Sequence, residues 1–338
     1  MPKNGSGLIV GIDIGGTSTK AALIDPAEVM EDSDAGVLGR AKIETEADKG
    51  PEGMIKQIAK LVDAVCEDAD VDREKVTGAG IAAAGAVDYF EGVVLNAVNL
   101  KWNDVPLARM FQEATGLPTA VDNDVRAAVY GEQRAGAAKG ARDVFGVWVG
   151  TGIGGGLILD NELFHGSFGT AGEFGRGMVL PWSPPGEGSV EQVCSRTGIA
   201  ETLARLLRSN RESILEVPEG NDARELKSKE IARAYEKDDE LVCEVVDHAA
   251  QVLGIAIGGV VTLLSLECVV LGGGFVDAMG KAYVNKVRES LLRSVFPEEV
   301  REVKVVPSEL EDDAGPIGAA LLAARRLGLR VKSIAAAD

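Results

Sequence analysis

The alternation of apolar and polar positions is clearest in two segments of equal length. The first, GIDIGGTSTKAALID (Gly11 to Asp25), is an apolar run, a glycine turn and a second apolar run that closes on Asp. The second, GVWVGTGIGGGLILD (Gly146 to Asp160), repeats that plan, with Gly at the first and fifth positions and Asp at the last. Each predicts two strands folded about a glycine-rich turn, the same device used twice. Such a turn aims several backbone N–H groups one way, which suits a phosphate; a plain hairpin is the alternative for either turn alone.

Between the copies the period changes. PEGMIKQIAKLVDAVCEDA places Ile55, Ile58, Leu61, Val62 and Val65 on one helical face, and PLARMFQEATG predicts a second amphipathic helix. VTGAGIAAAGAVD reads as a strand that breaks into a glycine-alanine turn, and LPTAVDND as a short strand entering the helix VRAAVYGEQRAG. After Asp160, a DN turn and a short strand follow. A mostly helical stretch then runs from Glu191 to about Leu264, with its loop near VPEGNDARELKSKE. LECVVLGGGFVDAMGKAYVNKV predicts strand, Gly272–Gly274 turn, helix; VKVVPS predicts a strand and GPIGAALLAARRLG the last helix, with KSIAAAD as a frayed tail. Strands alternating with helices make this an α/β chain.

Gly150, Gly152 and Gly155 match G-x-G-x-x-G, but a strand follows where a dinucleotide fold needs a helix, and no GxxxxGK[ST] occurs. At 338 residues and 46% apolar, the chain is long enough for two domains or one large one. No run of eighteen apolar residues predicts a membrane span, and Asp13 comes too early for a secretory signal. Cys66, Cys194, Cys243 and Cys268 lack CxxC spacing, which predicts free thiols in a reducing cytoplasm. A net charge of −18 argues against nucleic acid or an anionic membrane as partner. Any bound polyanion must then be held by local N–H groups and a metal ion.

Charged residues at special places carry the chemistry. Asp13 sits on the strand just before the first turn, where the second copy has Trp148. One carboxylate beside a phosphate turn is what hydrated Mg²⁺ needs. VDNDVRAAV sets Asp122, Asn123 and Asp124 at a strand-to-helix junction. Helix capping accounts for one of the three. The functional alternative is a grip on a polyhydroxyl, Asn123 donating and accepting and Asp124 accepting. Asp124 near a helix N-terminus favours its anion and is a weak base. In phosphoryl transfer the acceptor proton can leave late, so a weak base suffices.

These motifs, DIGGT, GVVLNAVNLKWNDVPL, VDNDVRAAVYGE, GTGIGGGLI, GTAGEFGR and LGGG, occur in one order from residue 9 to about 325. Together they resemble the ROK sugar kinases (repressor, open reading frame, kinase) of the actin-like and hexokinase-like ATPase superfamily. The resemblance implies two actin-like, ribonuclease H-like domains with an interdomain cleft: residues 1–130, plus a helix at about 315–330 packing back on it, and 131–314. It implies that Gly15, Gly16 and Thr17 on one side and Thr151 and Gly152 on the other pinch the phosphates of ATP. Gly272, Gly273 and Gly274 would lie near the adenosine and Asp13 near Mg²⁺. Asp124 would be the catalytic base on the sugar hydroxyl and Asn123 a sugar ligand, with Glu173 and Glu191 binding the other hydroxyls. The glycines of TAGEFGRG would let the backbone approach the sugar closely.

Where relatives keep a histidine tied to zinc, this chain has Arg176, and the following loop, GMVLPWSPPGEGS, has no cysteine. Only His165 and His248 occur, so no structural zinc is expected. Pro181, Pro184 and Pro185 are expected to stiffen the loop instead. Arg176 is expected either to touch the sugar or to pair with Glu173 or Glu191. The expected activity is ATP-dependent phosphorylation of a hexose, foremost glucose at its 6-hydroxyl. N-acetylmannosamine, N-acetylglucosamine, fructose and allose are alternative acceptors. A sugar-responsive repressor is the non-enzymatic alternative. Seven residues ahead of the first strand and the acidic charge argue against it. A homodimer is expected from the resemblance.

Overall fold

The computed structural model describes residues 7–180, 182–184, 187–216 and 222–328. The expected frayed tail, and Pro181 and Pro185 of the proline-rich loop, lie outside the described residues. The chain forms two compact units. Unit 1 comprises Met1–Gly140, Leu163–Ala171 and Asp312–Asp338; unit 2 comprises Ala141–Glu162 and Gly172–Glu311. The boundary expected at 130 falls inside the helix Asp124–Ala135, which a domain division cannot cut; the division lies at Gly140. The excursion Leu163–Ala171 had no counterpart in the expected division.

In unit 1 the first hairpin is β1 (Leu8–Ile14) and β2 (Ser18–Ile24), antiparallel, extended by β3 (Val37–Glu44). On the other side of β1 lies β4 (Val76–Ala83), parallel to it. Three short strands follow, β5 (Ala86–Asp88), β6 (Val93–Ala97) and β7 (Trp102–Val105), forming a small separate sheet. The chain then re-enters the main sheet as β8 (Thr119–Asn123), giving the order β3-β2-β1-β4-β8. The helix Gly50–Asp68 buries Ile55, Ile58, Leu61, Val62 and Val65, the stripe its period predicts. The C-terminal helix, Ala314–Arg326, belongs to this unit and packs so closely that a Cβ on Gly11 would lie 1.8 Å from the Pro316 carbonyl.

Unit 2 repeats the plan. The second hairpin is β9 (Val144–Val149) and β10 (Ile153–Leu159), antiparallel. A two-residue turn at Asp160 and Asn161, both at positive φ, leads to β11 (Glu162–Phe164), where the chain leaves for unit 1. With β12 (Cys268–Gly272) and β13 (Lys304–Pro307) parallel to β9, the order is β11-β10-β9-β12-β13. Counted along the chain within each five-stranded sheet, both orders read third, second, first, fourth, fifth. The duplication visible in two turns extends to the whole sheet.

The helices Arg196–Arg208, Ser228–Glu236, Glu240–Leu264 and Gly274–Ser294 enclose the core of unit 2. Glu240–Leu264 is, among the described residues, the one helix long and apolar enough to cross a bilayer, at a mean hydropathy of 1.5. Half of its most apolar window is buried in the protein's own core, as expected of a core helix.

Candidate active site

The candidate groups fall into two sets, one in each unit. In unit 1 the three-residue turn Gly15–Thr17 joins β1 and β2, with Gly15 N–H donating to Ser18 O at 3.1 Å. Thr45 braces it: its hydroxyl donates to Gly15 O at 2.8 Å and its N–H to Thr17 O at 2.9 Å. Gly16 and Thr17 are exposed. Asp13 lies on β1, a central strand, opposite Lys20 of β2. Its carboxylate lies against Gly315, where a Cβ would come within 2.7 Å of Oδ2. Burial, then the Asp124 carboxylate, push the Asp13 carboxyl up to about 7; Lys20 partly offsets this, and Asp312, bonded to Lys20, adds to it. Two carboxylates that repel each other beside an exposed glycine turn fit a hydrated divalent cation shared with phosphate oxygens. A full protein cage is a different matter: among the described residues no group of three His, Cys, Asp or Glu could hold a metal.

Asn123 ends β8 and caps the helix Asp124–Ala135, its Oδ1 accepting from Arg126 N–H at 3.1 Å. Its amide nitrogen donates to Asp124 Oδ1 at 2.7 Å and to Gly85 O at 3.1 Å. Capping and site are therefore one arrangement, and both amide hydrogens of Asn123 are spent within the protein. The pair fixes the Asp124 carboxylate in the first turn of the helix.

Asp122 is one of the groups whose role the sequence left open. It is 2% exposed and takes Arg126 Nε at 2.7 Å, His165 Nε2 at 2.9 Å and Arg326 Nη2. Burial alone would raise its carboxyl; the His165 hydrogen bond and the two guanidinium charges outweigh that and hold it well below the usual carboxylate range. His165 is thereby a partner of Asp122, stacked on Tyr89 at 3.6 Å. The Asp122–Arg126 spacing of four across the strand-to-helix junction was a usable signal; the contributions of His165 and Arg326, 43 and 204 residues from Asp122, had none.

In unit 2 the turn Gly150–Gly152 joins β9 and β10, with Gly150 N–H donating to Gly152 O at 2.9 Å. It rests on the start of the helix Arg196–Arg208. Arg196 N–H donates to Gly150 O at 2.9 Å, and its guanidinium to Thr151 Oγ1 at 3.2 Å. Glu191, on the short helix Val190–Cys194, accepts from Ile153 N–H through Oε2 at 2.9 Å. A Cβ on Gly152 would come within 2.4 Å of that oxygen. Arg176 Nη1 stands 3.4 Å from Glu191 Oε1, so of the expected pairings the one with Glu191 is formed. Arg176 is 75% exposed and Glu173 is exposed.

Two glycines of this loop make a close approach within the protein itself. Gly172, at φ 100°, would put a Cβ 2.3 Å from Gly155 O, and Gly175 one 2.2 Å from Ile153 O. They seat the loop on β10, leaving Glu173 projecting from a tight turn. Gly272–Gly274 lie between β12 and the helix Gly274–Ser294, and Gly273, at φ 93°, is the N-cap. The cysteines are all free.

Comparison with known proteins now supplies the lineage. The ROK family profile matches residues 9–326. A glucokinase of Halalkalibacterium halodurans is 31% identical over 318 residues, 91% of this chain and 92% of the relative. The crystal structure of a ROK family glucokinase from Streptomyces griseus, in complex with glucose and AMPPNP, superposes with a TM-score of 0.78 at 31% identity, over 94% of this chain and 100% of that one. A ROK hexokinase from Thermus thermophilus gives 0.75 at 26% identity, over 95% and 99%. The two units have the actin-like ATPase fold of these neighbours, and the chain belongs to the ROK family.

Proposed function

We propose that this ROK protein transfers the γ-phosphoryl group of ATP to a hexose, with glucose as acceptor at its 6-hydroxyl. The observation that carries the reading is the Asp124 carboxylate, fixed by Asn123 at 2.7 Å in the first turn of a helix. It occurs in a chain 31% identical to a glucokinase solved with glucose and AMPPNP.

The geometry within each unit supports the following roles. Asp124 accepts the proton of the attacking hydroxyl, and Asn123 keeps its carboxylate aimed. Little proton-transfer driving force is needed, because positioning and charge neutralisation lower most of the barrier. Glu173 and Glu191 accept hydrogen bonds from the remaining sugar hydroxyls, and Asn123 offers what is left of its carbonyl oxygen. One Glu191 oxygen already serves Ile153 N–H, which keeps that carboxylate in place before sugar arrives. Arg176 screens Glu191 and adds a donor toward the sugar. The exposed turns Gly15–Thr17 and Thr151–Gly152 present N–H groups to the ATP phosphates, and Gly272–Gly274 accommodate the adenosine. Mg²⁺, held through Asp13, water and phosphate oxygens, would neutralise charge on the transferring group.

The unpaired thiols support a reducing, cytoplasmic setting. We take the working form as a homodimer without structural zinc, open to check by light scattering and elemental analysis. A broader hexose range is the second reading, favoured by the exposed Arg176 beside Glu191. A coupled ADP-release assay over hexoses and amino sugars with Mg·ATP separates the two. Highest kcat/KM on glucose supports the first, comparable values on several hexoses the second, and no turnover on any sugar refutes both.

A further inference from the structure

We propose that Asp122 is the positioning residue for the Asn123–Asp124 pair, and that His165 makes the seating of segment Leu163–Ala171 a condition for a productive Asp124 carboxylate. The inference rests on the reading of Asp124 as the base.

Both Asp122 oxygens are fully engaged. Oδ1 takes Arg126 Nε at 2.7 Å and the Asn123 backbone N–H at 2.8 Å; Oδ2 takes His165 Nε2 at 2.9 Å and Arg326 Nη2. The ionised Asp122 carboxylate can only accept, so its bond to His165 puts the proton on Nε2; Arg326 Nη2, 3.2 Å from that nitrogen, then donates to Oδ2 and not to the imidazole. From Asp122 the constraint passes to Asn123 twice. Its backbone N–H is held directly, and its Oδ1 caps the helix whose Arg126 side chain returns to Asp122. Held by its backbone N–H and by its Oδ1, Asn123 places Nδ2 2.7 Å from Asp124 Oδ1.

The same cluster grips Leu163–Ala171, the excursion that unit 1 borrows from the middle of unit 2. His165 bonds Asp122 and stacks on Tyr89, over whose ring Arg326 also lies at 4.8 Å. Arg126 Nη1 donates to Gly169 O at 2.7 Å. This segment runs directly into Gly172 and the sugar-ligand candidate Glu173. A buried ion cluster is a weak source of stability, since well-packed apolar groups do as well. What apolar groups cannot do is orient a neighbouring amide and a distant loop at once.

The test uses the full chain and two variants, with kcat, KM for glucose and for Mg·ATP, glucose Kd by calorimetry and the thermal midpoint. His165→Phe keeps an aromatic ring on Tyr89 but loses the bond to Asp122. It should lower kcat by about 10- to 100-fold, with both KM values and Kd within about 3-fold of wild type. His165→Gln, whose Nε2 can occupy the imidazole Nε2 position, should recover most of the loss. Wild-type kcat in His165→Phe overturns the proposal. So does a change confined to glucose KM, or a loss shared equally by both variants with equal loss of thermal midpoint. If the wild-type protein itself phosphorylates no sugar, the kinase reading falls and takes this one with it. An active wild type with an insensitive His165→Phe sinks the positioning role alone.

Discussion

The two hairpins are built alike and equipped differently. In unit 1, Asp13 pairs with Lys20 on β2 and Ala82 on β4; in unit 2, Trp148 pairs with Gly154 on β10 and Gly272 on β12. The registers correspond, so the two side chains occupy one position of a repeated scaffold. Asp13 lies against Gly315 and shares its surroundings with Asp124. Trp148 lies against Gly272, where a Cβ would come within 2.6 Å of the indole. One copy spends the position on charge and the other on packing. A repeated backbone therefore supplies two phosphate-type turns, but only one carries an acid beside it.

The largest effect expected from this asymmetry lies beside Asp13, at Asp124. Asp124→Asn should reduce kcat by about 10²- to 10⁴-fold while glucose Kd stays within a few-fold, measured by steady-state kinetics and calorimetry. Equal loss of binding would make Asp124 a sugar ligand and not a base.

The next comparison sets the matched positions against each other. Asp13→Asn should cut kcat roughly 100-fold with no loss of thermal midpoint. Trp148→Ala should leave kcat per folded molecule within about 3-fold and cost about 2 kcal/mol of stability. The opposite pattern would remove the division between charge and packing.

A pH series sharpens it further. The folded Asp13 carboxyl titrates at about 7, against 3.8 ordinarily. Between those values the folded protein keeps a proton that the unfolded chain has lost, so stability falls as pH rises from about 4 to about 7. In Asp13→Asn the thermal midpoint should be flatter over that window; an unchanged slope would assign the titration elsewhere. Asp122 does not obscure it. Its carboxyl is lowered, so its contribution is present above the ordinary range and lost only in stronger acid. The smallest effect is at Gly272→Ala, where the indole must give way at about 1–3 kcal/mol, with kcat nearly unchanged.

What the sequence made legible was local. The alternation in Gly11–Asp25 and Gly146–Asp160 marked both hairpins, and the stripe Ile55 to Val65 marked a helix, because each pattern is complete within a few residues. The strand β3, VLGRAKIE, shows no clear period in the sequence because its half-exposed pattern carries charges at Arg40, Lys42 and Glu44. The sheet β5-β6-β7 is made of strands three to five residues long, too short to show a period. At the site, Asn123 and Asp124 could be read from one motif. The Asp122 cluster could not, since it joins residues 122, 126, 165 and 326 through contacts that only the folded chain creates. For TAGEFGRG the expectation was a backbone brought close to a sugar; what the fold itself requires of Gly172 and Gly175 is their close approach to β10, a contact no local pattern announces.

Asp124 and its surroundings are proposed to move a phosphoryl group from ATP to a sugar. Phosphorus and proton NMR of the products formed from glucose and Mg·ATP tests it most directly. The expected products are ADP and glucose 6-phosphate in equal amounts. ADP and free phosphate with no sugar phosphate ester would contradict it.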